Sequence, residues 1–314
     1  MNQSDRQTLV RGIFESTLSR AEVESYLQHA LDQAYWQRLN PDLSIGAERS
    51  TVALEAAPLG PTETATQLAK LRREGYFQTS PVLAPDVLGR MRQAIDRIRA
   101  EHWPAVFAYV YDEFWEIVRS PSLVRLVSEF LGSGYQQNSR IWAFYVAPAR
   151  GARGWHPHSD SCDESRLTVW VPLTDATLDN GCIYVIPRDR LPEDLRGNYL
   201  KIDHVTHAQL DRLLQSTRAL PSPAGAFLGW NHELIHWGSV SSGQVEPRIS
   251  LALEFTGRDA VPDPDESPLF DMATLPPFVD RLRAIARGLR IYSRYEPSNI
   301  KYEELGLRLP ERLP

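Results

Sequence analysis

The segment Trp155-His156-Pro157-His158-Ser159-Asp160 sets an imidazole and a carboxylate two residues apart. In extended backbone, residues i and i+2 face the same way. His158 and Asp160 can therefore offer a ring nitrogen and a carboxylate oxygen to one metal ion. A second imidazole, His236, lies far downstream in Asn231-His232-Glu233-Leu234-Ile235-His236, and Arg248-Ile249-Ser250 follows it at the head of an apolar run. Two histidines and one carboxylate on one face of a metal make the facial triad of non-heme Fe(II) oxygenases, with open positions opposite. Those positions can be chelated by the carboxylate and ketone of a 2-oxo acid, with room left for O2. The planar fork of Arg248 suits the distal carboxylate of such an acid, through two charge-assisted hydrogen bonds. A hydroxyl nearby, Ser250 or Ser239, can add a neutral donor.

Taken singly, each of these residues has an ordinary explanation. A His-x-Asp triplet arises often by chance, a lone histidine is commonly a hydrogen-bonded core or surface residue, and a lone arginine commonly sits in a surface ion pair. The joint order on strand-like segments is what points to a metal. Alternatives stay open inside each motif. His156 shares a face with His158, although only His158 has an aspartate two residues on. His232 shares a face with His236, and Asp163 competes with Asp160.

The elements that must position these residues follow from their patterning. From Arg140 onward, short runs rich in Val, Ile, Trp, Tyr and Phe alternate with turn residues: RIWAFYVAP, LTVWVPL, GCIYVIP, AGAFLGW and PRISLALEF. Such spacing predicts an antiparallel sandwich or barrel. Trp142, Tyr145, Trp170, Tyr184 and Trp230 fall on these strands and are candidate pocket walls, with ordinary core packing as the plainer reading. Arg153 and Arg166 flank the His-x-Asp segment; they could meet an acidic substrate group, and read more simply as exposed. Before the strands, Ser19 and Glu22 make a capping box ahead of a helical run that ends at Asn40-Pro41. The Pro/Thr/Ala-rich stretch 54–66 reads as a linker. Helices are predicted near 86–99, with Val87, Leu88, Met91, Ile95 and Ile98 on the buried face, and near 121–130. A Pro-rich loop over 261–277 precedes a final helix near 278–290.

The chain has 314 residues, 42% apolar and 24% charged, as in ordinary soluble globular proteins. No apolar run is long enough to span a bilayer, so a membrane protein is excluded. Forty acids against 34 bases give a net charge of −6, which disfavours nucleic acid as a partner. With no leader-like N-terminus, Cys162 and Cys182 are expected as reduced thiols in a cytoplasmic protein.

The sequence resembles the phytanoyl-CoA dioxygenase family of Fe(II)/2-oxoglutarate oxygenases over roughly residues 70–255. LRREGYFQTSPVLAPDVLGRMRQAIDRI is similar to the opening of the family domain, a short Gly-Tyr strand and then a helix. LTVWVPLTDATLDNGCIYVIP resembles the family's strand, Leu-Thr-Asp turn, Asn-Gly turn and strand. HELIHWGS followed by PRISLALEF is similar to the segment with the distal histidine and the cosubstrate arginine.

The resemblance implies a mainly β protein with flanking helices, built on a double-stranded β-helix (a jelly roll of the cupin kind). Residues 1–60 would form a helical extension, acting as lid, interface or plain packing, and residues 61–314 the oxygenase domain with a C-terminal helix. It implies His158, Asp160 and His236 as ligands of Fe(II), and Arg248 as partner of the 2-oxoglutarate C5 carboxylate. O2 would be the second cosubstrate. The implied reaction hydroxylates an unactivated C–H bond of a small organic molecule and converts 2-oxoglutarate to succinate. Asp160 disfavours halogenation, since related iron halogenases lack that carboxylate. Two departures stand out. The serine that family members usually carry two places after the distal histidine is displaced here to Ser239, three places on, leaving Ser250 as a competitor. Pro187-Arg188-Asp189-Arg190 stands where many members have Pro-Gly-Ser-His, and is expected near the site entrance. The competing readings are a zinc hydrolase on a cupin-like barrel and a catalytically silent binding protein. Neither the substrate nor the oligomeric state is specified by the sequence.

Overall fold

The computed structural model describes residues 17–46, 54–191, 206–243, 246–261 and 263–314. Ser19 and Glu22 form the expected capping box and start helix α1 (Arg20–Leu31). The helical run does not continue unbroken. The Asp32 carboxylate accepts from the Ala34 amide at 2.9 Å and caps a separate helix α2 (Gln33–Leu39), so capping chemistry outweighs the apolar periodicity there. Residues 1–16 of the predicted helical region lie outside the described residues.

The stretch 54–66 is not a linker. Glu55 bridges Leu83 in the backbone, and its carboxylate accepts from the Ser122 amide and hydroxyl at 2.7 and 2.8 Å. Pro61 then occupies the first turn of helix α3 (Pro61–Glu74), where its fixed φ and missing N–H favour a helix start. Strand β1 (Tyr76–Pro81) and helix α4 (Pro85–Ala100) follow, with the predicted apolar face of α4 buried. Helix α5 (Pro121–Leu131) stops at Gly132, whose φ of 86° is in the left-handed region.

The strand-rich half forms two antiparallel sheets. β2 (Gln136–Val146), β3 (Arg166–Pro172), β6 (Ala226–Asn231) and β8 (Arg248–Thr256) join β1 in the order β1-β6-β3-β8-β2. β4 (Ile183–Ile186), β5 (Arg218–Leu220) and β7 (Ile235–Gly238) form the second sheet, in the order β5-β4-β7. Helix α6 (His207–Ser216) leads into β5, and neither element is announced by the residue pattern. The 153–158 segment lies along the free side of β7 through bridges Arg153↔Val240 and His158↔His236. The architecture is therefore a double-stranded β-helix with flanking helices.

Register decides which side chains meet. β8 pairs Trp142 and Trp170 with Ala252, and Thr168 with Glu254, so alternate residues of adjacent strands share one face. Arg248, Ser250, Ala252 and Glu254 point inward. Ile249, Leu251, Leu253 and Phe255 point outward and are also buried. Burial on both faces explains the nearly continuous apolar look of these strands. Each buried outward leucine contributes about 1.5–3 kcal/mol.

Helix α7 (Phe278–Tyr292) packs on β2. Gly288 permits the approach, since a Cβ there would stand 2.9 Å from the Ile141 carbonyl oxygen. The chain does not end with that helix; 3-10 turns and helix α8 (Glu303–Arg308) follow, and α8 packs against α7 and α1. Among the described residues, no helix is long and apolar enough to cross a membrane. Cys162 is exposed and Cys182 buried, and the two form no disulfide with each other.

Candidate active site

The two stretches that carry the candidate ligands are hydrogen-bonded to each other. The His158 amide donates to the His236 carbonyl at 3.1 Å, and the His236 amide donates back at 2.9 Å. Residues paired this way in an antiparallel ladder project side by side. The two imidazole centroids are 4.3 Å apart. Asp160, two residues beyond His158, turns to the same face, with Oδ1 3.5 Å from His158 Nε2 and 3.7 Å from His236 Nε2. One ligand atom from each of the three lies within 4.8 Å of the others.

Local hydrogen bonds orient each group. His158 Nδ1 donates to its neighbour's carbonyl, His156 O, at 2.7 Å, and His236 Nδ1 donates to Leu234 O at 3.0 Å. Both rings therefore present Nε2 as the lone-pair atom, a tautomer fixed from behind as at metal sites. Asp160 Oδ2 accepts from Thr168 Oγ1 at 2.9 Å and Trp230 Nε1 at 3.0 Å, which leaves Oδ1 for the histidines. Burial opposes ionisation of Asp160, but His236 and His158 hold its carboxyl well below the usual range. Burial lowers His236 to about 4, keeping its imidazole neutral at physiological pH. His158 is held above its ordinary value by Asp160, against the effect of burial.

The rival residues have other partners. His232 is fully buried; its Nε2 faces Thr168 Oγ1 and its Nδ1 faces Ser161 Oγ, both at 3.2 Å. His156 is exposed. Asp163 is engaged by Ser165 and Arg166.

Arg248 enters the same cavity from the start of β8 and is buried. Its Nη1 donates to Gly181 O at 2.6 Å, while its Nε meets no partner within the protein. Ser250 Oγ, on the same strand face, is likewise buried and unpartnered, as is His158 Nε2. Ser239 lies beyond β7, with its amide on Cys182 O, and neither serine is among the residues lining the cavity. Ser250 is thus the hydroxyl on the arginine's face. A ferrous ion and a keto-diacid fit this donor set: imidazole and carboxylate atoms converge at one end, with a guanidinium whose Nε is unpartnered in the wall.

Two glycines shape the cradle. A Cβ on Gly154 would lie 2.8 Å from Gly238 Cα and 3.2 Å from Arg248 Nη2, and one on Gly238 would lie 2.7 Å from Gly154 Cα. Gly238→Ala should therefore push the 153–158 segment off β7, costing about 1–3 kcal/mol. Urea unfolding reads this as a lower midpoint.

The inner cavity, about 50 Å³, opens into a groove of about 1040 Å³. Trp142, Trp170 and Trp230 line the inner cavity and Tyr145 the groove. Tyr184 lines neither and stacks on Trp237. Arg153 is exposed and lines the groove. Arg166, contrary to expectation, is buried and ion-paired with Glu266 and Asp163. The 187–190 turn lines neither the inner cavity nor the groove; Arg188 pairs with Glu164 and Asp189 faces Arg73.

Sequence reasoning missed Thr168, Arg140, Glu254, Gly154, Gly238 and the C-terminal residues Tyr292 and Glu296. The period of two running on from Arg248 through Ser250 and Ala252 would have found Glu254. Glu296 accepts from Trp142 Nε1 and Asn299 Nδ2, both at 2.7 Å. Burial raises its carboxyl to about 7, from 4.5, with Trp142 and Arg248 acting the other way. Between those values the folded chain holds a proton that the unfolded chain has released, so stability falls as pH rises through the window. Glu296→Gln should abolish that dependence, which amounts to roughly 3 kcal/mol in the wild type. Urea titrations at about pH 5 and pH 8 measure the difference.

Residues 71–245, more than half of the chain, match the family model for phytanoyl-CoA dioxygenase. The non-heme alpha-ketoglutarate-dependent epimerase SnoN from nogalamycin biosynthesis matches with a TM-score of 0.51 at 19% identity, over 63% of this chain and 84% of its own. SnoN in complex with Fe3+, alpha-ketoglutarate and nogalamycin RO gives 0.51 at 18% identity, over 63% and 85%. EctD from S. alaskensis in its apoform gives 0.48 at 16% identity, over 68% and 81%. The likeness to SnoN is one of fold. No curated protein matches the chain at a significant level.

Proposed function

Since the chain belongs to the phytanoyl-CoA dioxygenase family, we propose that it hydroxylates an unactivated C–H bond of a small organic molecule at the site described above. As a family member it is an iron- and 2-oxoglutarate-dependent dioxygenase. The bound metal and cosubstrate supply the oxidation: 2-oxoglutarate, O2 and R–H become succinate, CO2 and R–OH, with one oxygen atom in each of succinate and alcohol. SnoN, which shares the fold, is described with iron and alpha-ketoglutarate bound.

The chain's own residues bind and orient. His158 Nε2, His236 Nε2 and Asp160 Oδ1 would hold the ion, each kept in place by a hydrogen bond from behind. Arg248 would grip the distal carboxylate of the keto-diacid, with Ser250 beside it. Trp142, Trp170 and Trp230 exclude water around them, which strengthens every charge interaction in the cavity. The observation that carries the reading is the convergence of three ligand atoms within 4.8 Å in a cavity that Arg248 also lines.

Succinate release with Fe(II) and 2-oxoglutarate, compared in air and under argon, tests it. Succinate that requires both the metal and O2 is expected. Metal-dependent turnover that proceeds without O2 and yields no succinate would overturn the reading in favour of a zinc-type hydrolase.

A further inference from the structure

Where the inner cavity meets the outer groove, the wall carries buried polar atoms that neither the metal nor the keto-diacid accounts for. Glu254 is inward-facing on β8 with its side chain nine-tenths buried. Its Oε1 accepts from the Tyr292 hydroxyl at 3.2 Å, while Oε2 has no hydrogen-bond partner. Arg140 stands beside it, Nη1 3.8 Å from Oε2, and reaches Asp263 with Nη2 at 2.9 Å. Arg140 Nε is unpartnered. Trp155 Nε1 is unpartnered too, and the Trp155 ring packs 5.0 Å from that of Tyr292. All four residues line both the inner cavity and the groove, together with His158 and Asp160. A buried polar atom left without a partner costs about 1–3 kcal/mol, so three of them at one neck call for a polar ligand.

We propose that Glu254, Arg140 and Trp155 form the substrate anchor of this site, and that the substrate presents vicinal hydroxyl groups there. The proposal rests on the oxygenase reading above and names the substrate class for it. Arg140 Nε and Trp155 Nε1 can only donate, so they need acceptors, whereas the Glu254 carboxyl needs a group that can donate to it. A hydroxyl does both, and serves Glu254 whichever protonation state the carboxyl holds. Two neighbouring hydroxyls can answer all three atoms. An ammonium would satisfy Glu254 alone and would sit against the Arg140 guanidinium. A bare hydrocarbon would leave every one unmet. The rings of Trp155 and Tyr292 offer apolar faces to the carbon framework that carries the hydroxyls.

The test is a tryptophan-fluorescence titration of the full chain with trans-1,2-cyclohexanediol and with cyclohexanol, in wild type, Glu254→Leu and Glu254→Gln. The wild type should bind the diol about tenfold more tightly, as expected for one further hydrogen bond to a buried charged group. Glu254→Leu should bring the two ligands to equal affinity. Glu254→Gln keeps the shape of the side chain, guards against a folding defect in the leucine variant, and should lower the preference at least about threefold. Equal affinities in the wild type, or a preference unchanged in both variants, would overturn the proposal. The titration needs no turnover, so its failure is distinguishable from failure of the succinate assay.

Discussion

Alanine in place of His236 should abolish ferrous-ion binding and lower oxygen-dependent succinate formation by at least about a thousandfold. The expectation follows from how little else can replace that ring. His236 is buried, held through Nδ1 by the Leu234 carbonyl and aligned with His158 by two backbone hydrogen bonds. No other histidine side chain joins the cluster among the described residues. Asp160 has Oδ2 committed to Thr168 and Trp230, so it cannot swing to complete a different ligand set without losing both. His158→Ala should have the same effect. His232→Gln is the control: that ring is bound on both sides by hydroxyls, and its loss should leave metal binding intact. Anaerobic Fe(II) titration and succinate rates read both outcomes.

Replacing Arg248 should act on the cosubstrate rather than on the metal. Truncating one partner of a buried, hydrogen-bonded charge pair costs about 2–5 kcal/mol, so Arg248→Ala should raise the KM for 2-oxoglutarate roughly a hundredfold. The turnover number at saturating 2-oxoglutarate should fall much less. Arg248→Lys should recover only part of the loss, because an ammonium cannot reproduce the planar fork that meets a carboxylate with two parallel bonds. Steady-state kinetics with 2-oxoglutarate varied separate KM from kcat. A variant whose KM is unchanged while kcat collapses would place Arg248 in another role.

How far the site was readable depended on whether side-chain type or side-chain packing carried the information. His158, Asp160, His236 and Arg248 are legible because their chemistry and a period of two suffice to nominate them. Spacing to Arg248 favours His236 over His232 but says nothing of what His232 does instead. In the structure His232 is bound by Thr168 and Ser161, a contact between segments distant in sequence. Arg140 and Glu254 were invisible for a related reason. Each looks like a surface charge at the end of an apolar run until the register of β2 and β8 turns it inward. Gly154 and Gly238 matter only because their two backbones meet, which no local pattern announces.

The same division runs through the fold. Strands β2, β3, β4, β6 and β8 were legible from their Val, Ile and aromatic content, and α4 and α5 from their apolar spacing. The pairing order was not, since β1 and β6 meet across nearly half of the chain. The 54–66 stretch misled because proline and threonine suit a helix N-terminus as well as a loop. Arg166 misled because its partner, Glu266, comes from a loop a hundred residues away.

The most direct test is an anaerobic Fe(II) titration of the wild type, His158→Ala, His236→Ala and His232→Gln, followed by addition of 2-oxoglutarate. One ion per chain in the wild type and in His232→Gln, none in the other two, and cosubstrate binding only where the ion is held, is the predicted result. Iron retained without His158 and His236, or lost on replacing His232, would contradict it.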